Sequence, residues 1–97
     1  MLNGKQRALL RKMANGIEPS FIIGKDGVTE NTVIEIRNQI EARELIKIKI
    51  LDTALLETKT VCNEIAEKTG AEPVQAIGSK FVLYKQAKKE EKRKIIV

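Results

Sequence analysis

The residues best suited to chemistry in this chain are Gly24-Lys25-Asp26-Gly27, set between Ile22-Ile23 and Val28-Thr29. Glycines three apart permit positive φ and let another backbone approach with no Cβ in the way. A strand leads into this turn and a helix leaves it, so unpaired helix N–H groups and the positive end of the helix dipole face the same spot. Such a site accepts phosphate oxygens, and Lys25 adds a mobile cation. Each contribution is worth about 0.3–1 kcal/mol at an exposed surface, so the loop needs a second basic surface to hold a polyanion. Asp26 neutralises Lys25, which argues against capture by charge alone. The Gly-x-x-x-x-Gly-Lys-Ser/Thr spacing of a nucleotide P-loop is absent. The Gly-x-x-Gly loop of a KH domain clamps nucleic-acid backbone, but it joins two helices, whereas here a strand precedes it. Taken alone, the glycine pair also fits an ordinary tight turn.

The obvious second surface is the opening stretch. Residues 3–15 read as a helix with Leu2, Leu9, Leu10 and Met13 on one side. Arg7 and Arg11, four apart, project from the opposite side, and Lys5 and Lys12 flank the stripe. Surface helices normally mix signs, so four cations with no interleaved glutamate point to an anionic partner. The net charge of +5 divides as +4 over residues 1–17, −2 over 18–85 and +3 over 86–97. A near-neutral body with a basic stretch at each end fits a polyanion held by parts of the surface. The plainer alternative is lysine kept for solubility.

Composition removes several function classes. With no histidine there is no imidazole metal site and no Ser–His or Cys–His pair. One cysteine excludes an intramolecular disulfide and any paired-cysteine zinc motif. No metal ligands, cofactor site or catalytic residues are therefore assigned, and no small-molecule substrate is expected. Only Lys25 and Asp26 share a plausible pocket, and neither is a general base near neutral pH without perturbation. An enzyme is the least favoured reading. No long apolar run reads as a membrane span or secretory signal, and a single unpaired cysteine fits a cytoplasmic chain.

The elements that must position these residues can be placed along the chain. Residues 18–23 read as a strand, 29–43 as a helix capped by Thr29, and 44–51 as a second strand. In that strand Ile46, Ile48 and Ile50 face one way and Lys47 and Lys49 the other, giving one buried and one wet face. A helical region opens at Asp52-Thr53, carries Val61, Cys62, Ile65 and Ala66, and ends at Gly70. Strands at 73–77 and 80–85 flank a Gly78-Ser79 turn. The order α-β-α-β-α-β-β predicts an α/β two-layer sandwich with a four-stranded mixed sheet, helices on one face and the other face partly open. Length supports one domain, expected over 1–85, with a basic mobile tail over 86–97 whose closing Ile95-Ile96-Val97 has no assigned role.

Three further features have two readings each. Lys47 and Lys49 are either a second anion-binding patch or the solvated side of a sheet. Phe81 and Tyr84 lie near the end of an RRM-like signature, but Gly78-Ser79-Lys80 stands where its Gly-aromatic residues belong. The two point to opposite faces, so at most one can stack on a base, and core packing is favoured for both. Cys62 reads as a small core residue rather than a nucleophile.

At this point four collinear motifs can be set together: Leu2-Asn3-Gly4-Lys5-Gln6-Arg7 with Leu10-Arg11; Gly24-Lys25-Asp26-Gly27-Val28-Thr29; Glu44-Leu45-Ile46-Lys47-Ile48-Lys49; and Gly78-Ser79-Lys80-Phe81-Val82-Leu83-Tyr84-Lys85. Over residues 1–85 they resemble a YhbY-type protein, the stand-alone bacterial form of the CRM (chloroplast RNA splicing and ribosome maturation) domain. The resemblance implies a fold akin to the C-terminal domain of translation initiation factor three. It implies binding to RNA, with bacterial members associated with precursors of the large ribosomal subunit and plant relatives with intron splicing. It places RNA on Gly24, Lys25, Asp26 and Gly27, with Lys5, Arg7, Arg11 and Lys12 as the basic residues assigned beside them. The family's final strand often ends in Tyr-Arg, where this chain has Tyr84-Lys85. Lys85 keeps the charge but loses the planar fork, so it stands with Lys47 and Lys49 as a secondary contact. The expected function is non-catalytic binding of ribosomal RNA in precursor large subunits by a cytoplasmic monomer with no membrane partner. The alternatives are a general RNA chaperone or splicing-type factor, and an adaptor whose basic helix meets an acidic protein.

Overall fold

The computed structural model describes residues 2–88. Strand β2 (Leu45–Ile50) lies inside a four-stranded sheet. Its alternation sends Ile46, Ile48 and Ile50 into one core and Leu45 into another, because successive strand side chains leave by opposite faces. Strand β1 (Phe21–Ile23) runs parallel to β2, with Ile23 opposite Ile50. On the other side β4 (Lys80–Tyr84) pairs with β2 antiparallel, and β3 (Glu72–Ile77) closes that edge against β4. The resulting order is β1-β2-β4-β3, so β2 and β3 run in one direction with β4 between them. The α/β class, the element order and the mixed four-stranded sheet are those read from the sequence.

The layering differs from the expected arrangement in one respect. Helices α2 (Glu30–Arg43) and α3 (Thr58–Thr69) cover one face, burying Ile36, Ile40, Val61, Cys62 and Ile65 against the inner strand residues and Phe81. Helix α1 (Gly4–Ala14) lies on the opposite face. Its N-terminus is closed by Asn3 and Gln6, each side chain accepting from the other's backbone N–H. Leu10 and Ala14, four apart, are its buried residues and pack on Leu45, Val74, Val82 and Tyr84. The apolar stripe is therefore rotated from the expected one, and Leu9 and Met13 stand exposed at its rim. The sequence could not show this, because the sites that receive α1 come from three different strands.

Several boundaries also move. β1 begins only at Phe21, although the Ser20 N–H still reaches the Lys47 carbonyl at 2.9 Å. The helical region expected from Asp52 breaks into a 3-10 turn (Asp52–Ala54) and α3, because Leu55 takes a left-handed conformation at φ 55°. β4 ends at Tyr84.

The start of the expected tail is docked. Glu44 is fully buried at the C-terminus of α2 with φ 67°, and its carbonyl accepts the Lys85 N–H at 2.9 Å. Its carboxylate accepts the Ala87 N–H, also at 2.9 Å, and the Glu41 carboxylate accepts the Lys88 N–H at 3.2 Å. Residues 89–97, with Ile95-Ile96-Val97, lie outside the described residues. No helix among the described residues is long and apolar enough to cross a membrane.

Because α1 is held to the sheet mainly through Leu10 and Ala14, Leu10→Ala should destabilise the fold by about 2–4 kcal/mol, read as a lower urea midpoint at unchanged m-value.

Candidate nucleic-acid interface

The glycine loop follows β1 directly. The Gly27 N–H donates to the Gly24 carbonyl at 2.9 Å, closing a turn in which Lys25 and Asp26 keep negative φ and Gly27 takes φ 69°. That is a type I turn with glycine at its fourth position. Only Gly27 needs its missing Cβ for backbone reasons. Gly24 does not adopt positive φ, and a Cβ placed there would sit 3.7 Å from Leu51 Cδ1, an ordinary contact. The N–H groups of Lys25 and Asp26 have no acceptor among the described residues, and both side chains are exposed.

The helix that follows is less open than the sequence suggested. Thr29 caps α2 as expected, and its hydroxyl accepts from the Thr32 N–H while Thr32 accepts from the Thr29 N–H. Glu30 already places a carboxylate in the first turn. A phosphate at this loop therefore meets the Lys25 and Asp26 amides beside a partly closed helix end, whose Glu30 and Asn31 N–H groups have no acceptor among the described residues.

Beside the loop the sheet carries a row that crosses all four strands. Ile22 stands opposite Lys49, Lys49 opposite Lys80, and Lys80 opposite Ile77. Cross-strand partners share a face, and this face is the one away from α2 and α3. The outer isoleucines are 55% and 65% exposed. Like charges directly opposite are destabilising, so the Lys49–Lys80 pair costs the fold something that a bound anion would offset. Lys47 lies on the same face two residues along β2. Lys80 carries no signal in the sequence, because its register with Lys49 exists only once β2 and β4 pair.

The cations of α1 are on this same side of the sheet, since α1 packs there. Lys5, Arg11 and Lys12 are exposed, with no acidic partner among the described residues. They do not adjoin the loop: α1 rests on Leu45 and Tyr84, at the far end of β2 and β4 from Ile50 and Lys80. Arg7 is half-buried and its guanidinium donates to the Pro73 carbonyl, so it does not project freely as expected. Lys85 is also committed, donating through Nζ to the Thr69 carbonyl at 3.1 Å and so closing the C-terminus of α3.

At the end of the sheet, next to the glycine loop, lies an apolar group that sequence reasoning missed. Leu51, Leu55 and Leu56 are all exposed. The Leu51 N–H donates to the Ile23 carbonyl at 2.9 Å and the Ile50 N–H to the Ser79 carbonyl at 2.7 Å, so the loop, this segment and the β3–β4 turn converge. Phe81 and Tyr84 are buried on opposite faces, as core residues. Cys62 is buried, and burial pushes its thiol up to about 11, which leaves it a poor nucleophile.

Comparison with known proteins follows the same outline. Residues 2–85 match the profile of the CRS1 / YhbY (CRM) domain. The chain is 39% identical over 88 residues to "Probable RNA-binding protein YqeI" of Bacillus subtilis, covering 91% of this chain and 92% of that one. It is 34% identical to an "RNA-binding protein" of Haemophilus influenzae, covering 87% and 85% respectively. It is also similar to "CRS2-associated factor 1, mitochondrial" of rice, at 29% identity over 65% of this chain and 15% of the larger one. Among solved structures, SAV1595 of Staphylococcus aureus superposes with a TM-score of 0.76 at 37% identity, covering 99% of this chain and all of that one.

Two measurements check this geometry. Gly27→Ala should cost about 1 kcal/mol because φ is positive there, whereas Gly24→Ala should leave the urea midpoint unchanged. The Cys62 thiol should resist a disulfide reagent in the native state and react on unfolding. The stability it contributes is intact below its ordinary value of 9.0 and is lost as pH rises toward 11.

Proposed function

The chain belongs to the CRS1 / YhbY (CRM) domain family, and from that premise we propose that it is a non-catalytic cytoplasmic protein that binds RNA of the precursor large ribosomal subunit. The observation that carries this reading is the pairing of two kinds of anion-binding group on one part of the surface. The amides of Lys25 and Asp26 have no acceptor among the described residues, and beside them runs the row of Lys49 and Lys80, with Lys47 adjoining. In the proposed mode the loop positions one stretch of RNA backbone, and the lysines supply attraction along the sheet. Lys5, Arg11 and Lys12 of α1 extend the basic side to the far end of the sheet. Arg7 and Lys85 contribute less, since each already serves a backbone carbonyl.

An adaptor for an acidic protein would use the same cations but would give the glycine loop no task. A general RNA chaperone or splicing-type factor shares the same chemistry and differs only in which RNA is bound.

For RNA as ligand, log affinity should fall linearly with log salt, with a slope of about −0.7 to −0.9 per phosphate contacted. Lys49→Ala with Lys80→Ala should flatten the slope by about 1–2 and weaken all RNAs alike. Gly24→Ala should weaken RNA binding at unchanged stability. A salt-independent interaction, or no retention on RNA, refutes the reading. Sedimentation of cell extract through a sucrose gradient tests the ribosomal part: the protein should travel with immature large subunits and not remain at the top.

A further inference from the structure

We propose that the cleft at the end of the sheet, beside the glycine loop, holds an unpaired nucleobase of the RNA whose backbone crosses that loop; this rests on the RNA reading above. The cleft has a volume of about 390 Å³ and is lined by Leu51, Asp52, Leu55, Leu56 and the Gly78-Ser79 turn, with Thr58 donating to the Gly78 carbonyl at 2.6 Å. That volume lies within the range of small-ligand pockets, roughly 300–1,000 Å³. Scattered exposed leucines mean nothing, but three around one cleft form an apolar surface with something to cover it. Leu55 is 91% exposed and held at φ 55°, a conformation that is unfavourable for a leucine. The backbone thus spends strain to hold a large apolar side chain in water.

The position of this surface identifies its occupant. Leu51 Cδ1 and Leu56 Cδ1 each lie 3.7 Å from where a Cβ on Gly24 and on Gly27 would stand. The apolar wall and the free amides of Lys25 and Asp26 therefore share a border. A nucleotide has the matching form: an anionic phosphate at one end and a flat, largely apolar base at the other. Asp52 decides which end enters. Its exposed carboxylate has no ion-pair partner among the described residues, so it repels a phosphate but accepts an N–H from a base edge. Ser79 adds a hydroxyl that makes no hydrogen bond among the described residues. An apolar protein side chain in the same place would desolvate Asp52 with nothing to pair it. Bases in a duplex are stacked and have their edges engaged, so the cleft takes a base only from a single-stranded segment.

The test compares one mixed-sequence RNA in three forms: single-stranded, annealed to its complement, and stripped of its bases. Binding is read by fluorescence anisotropy at fixed salt. Wild type should hold the single strand about tenfold more tightly than either other form, a difference of about 1.4 kcal/mol. Leu55→Ser with Leu56→Ser should reduce single-strand affinity to the level of the base-free RNA, leaving duplex binding and the salt slope unchanged. Circular dichroism and the urea midpoint check that the variant keeps the fold. Asp52→Asn should weaken the single strand without weakening the duplex, whereas removal of a repulsive charge alone would strengthen both. Unchanged single-strand binding by the leucine variant, or equal losses on single strand and duplex, overturns the proposal. So does a leucine variant that binds RNA fully yet leaves the large-subunit fractions, since those leucines then meet a protein. Failure of wild type to bind any of the three forms overturns the RNA reading itself.

Discussion

Everything at the candidate site depends on the register of β2. Leu45–Ile50 alternates so that three isoleucines enter the α2/α3 core while Lys47 and Lys49 face the other way. A slip of one residue would drive both lysines into that core and expose the isoleucines, so the register is strongly specified. Once Ile50 is placed, two distant segments are fixed with it. Its pairing with Ile23 sets where the glycine loop begins, its N–H holds Ser79, and the next N–H, of Leu51, returns to Ile23. The loop is thus held by a strand end that cannot move without cost.

The parts of this arrangement that the sequence revealed are those written in one segment. The alternation of β2, the Gly24–Gly27 turn, the Thr29 cap and the Gly70 stop each depend on residues within a few positions of one another. What stayed hidden depends on residues distant in the chain. The face of α1 is chosen by Leu45, Val74, Val82 and Tyr84, and Leu9 competes equally well with Leu10 until those are assembled. The Lys49–Lys80 pair needs an antiparallel register, and the leucine cleft needs a break at Leu55 that no glycine, asparagine or proline announces. Glu44 is the sharpest case: a charged residue with positive φ, fully buried, that holds the chain beyond β4 by accepting the Ala87 N–H. Its residue type suggests surface, and the docked segment gives its carboxylate a backbone partner that the sequence does not announce.

A count of basic residues overstates what is available for a partner. Lys85 and Arg37 both donate to carbonyls at the C-terminus of α3, Thr69 and Lys68 respectively, where cations also meet the negative end of the helix dipole. Arg7 joins α1 to the start of β3, and Lys68 pairs with Glu64 at 2.9 Å. Of the cations whose side chains have no partner among the described residues, Lys47, Lys49 and Lys80 lie on the α1 side of the sheet with Lys5, Arg11 and Lys12 along the helix, while Lys25, Arg43, Lys59 and Lys88 lie elsewhere. The α1 side of the sheet therefore carries the largest group of free cations among the described residues.

This division bears on how such a surface would discriminate. The loop itself is neutral, since Asp26 follows Lys25, and the end of α2 is partly closed, with Thr29 and Thr32 engaging each other's N–H groups and Glu30 placing a carboxylate in the first turn. What the loop offers a phosphate is two amides with no acceptor among the described residues and a backbone that can be approached closely, which is a geometric contribution of short range. The lysines offer attraction that acts over a distance of about 8–10 Å and is screened by salt. In the proposed mode the two contributions separate: the lysines gather RNA of any sequence, and the loop with its neighbouring cleft selects among the conformations that arrive. Raising the salt removes the first contribution much faster than the second, because contacts made at hydrogen-bond range are little screened. Selectivity for RNA shape should then rise relative to total affinity as salt increases, which a uniformly basic surface cannot do.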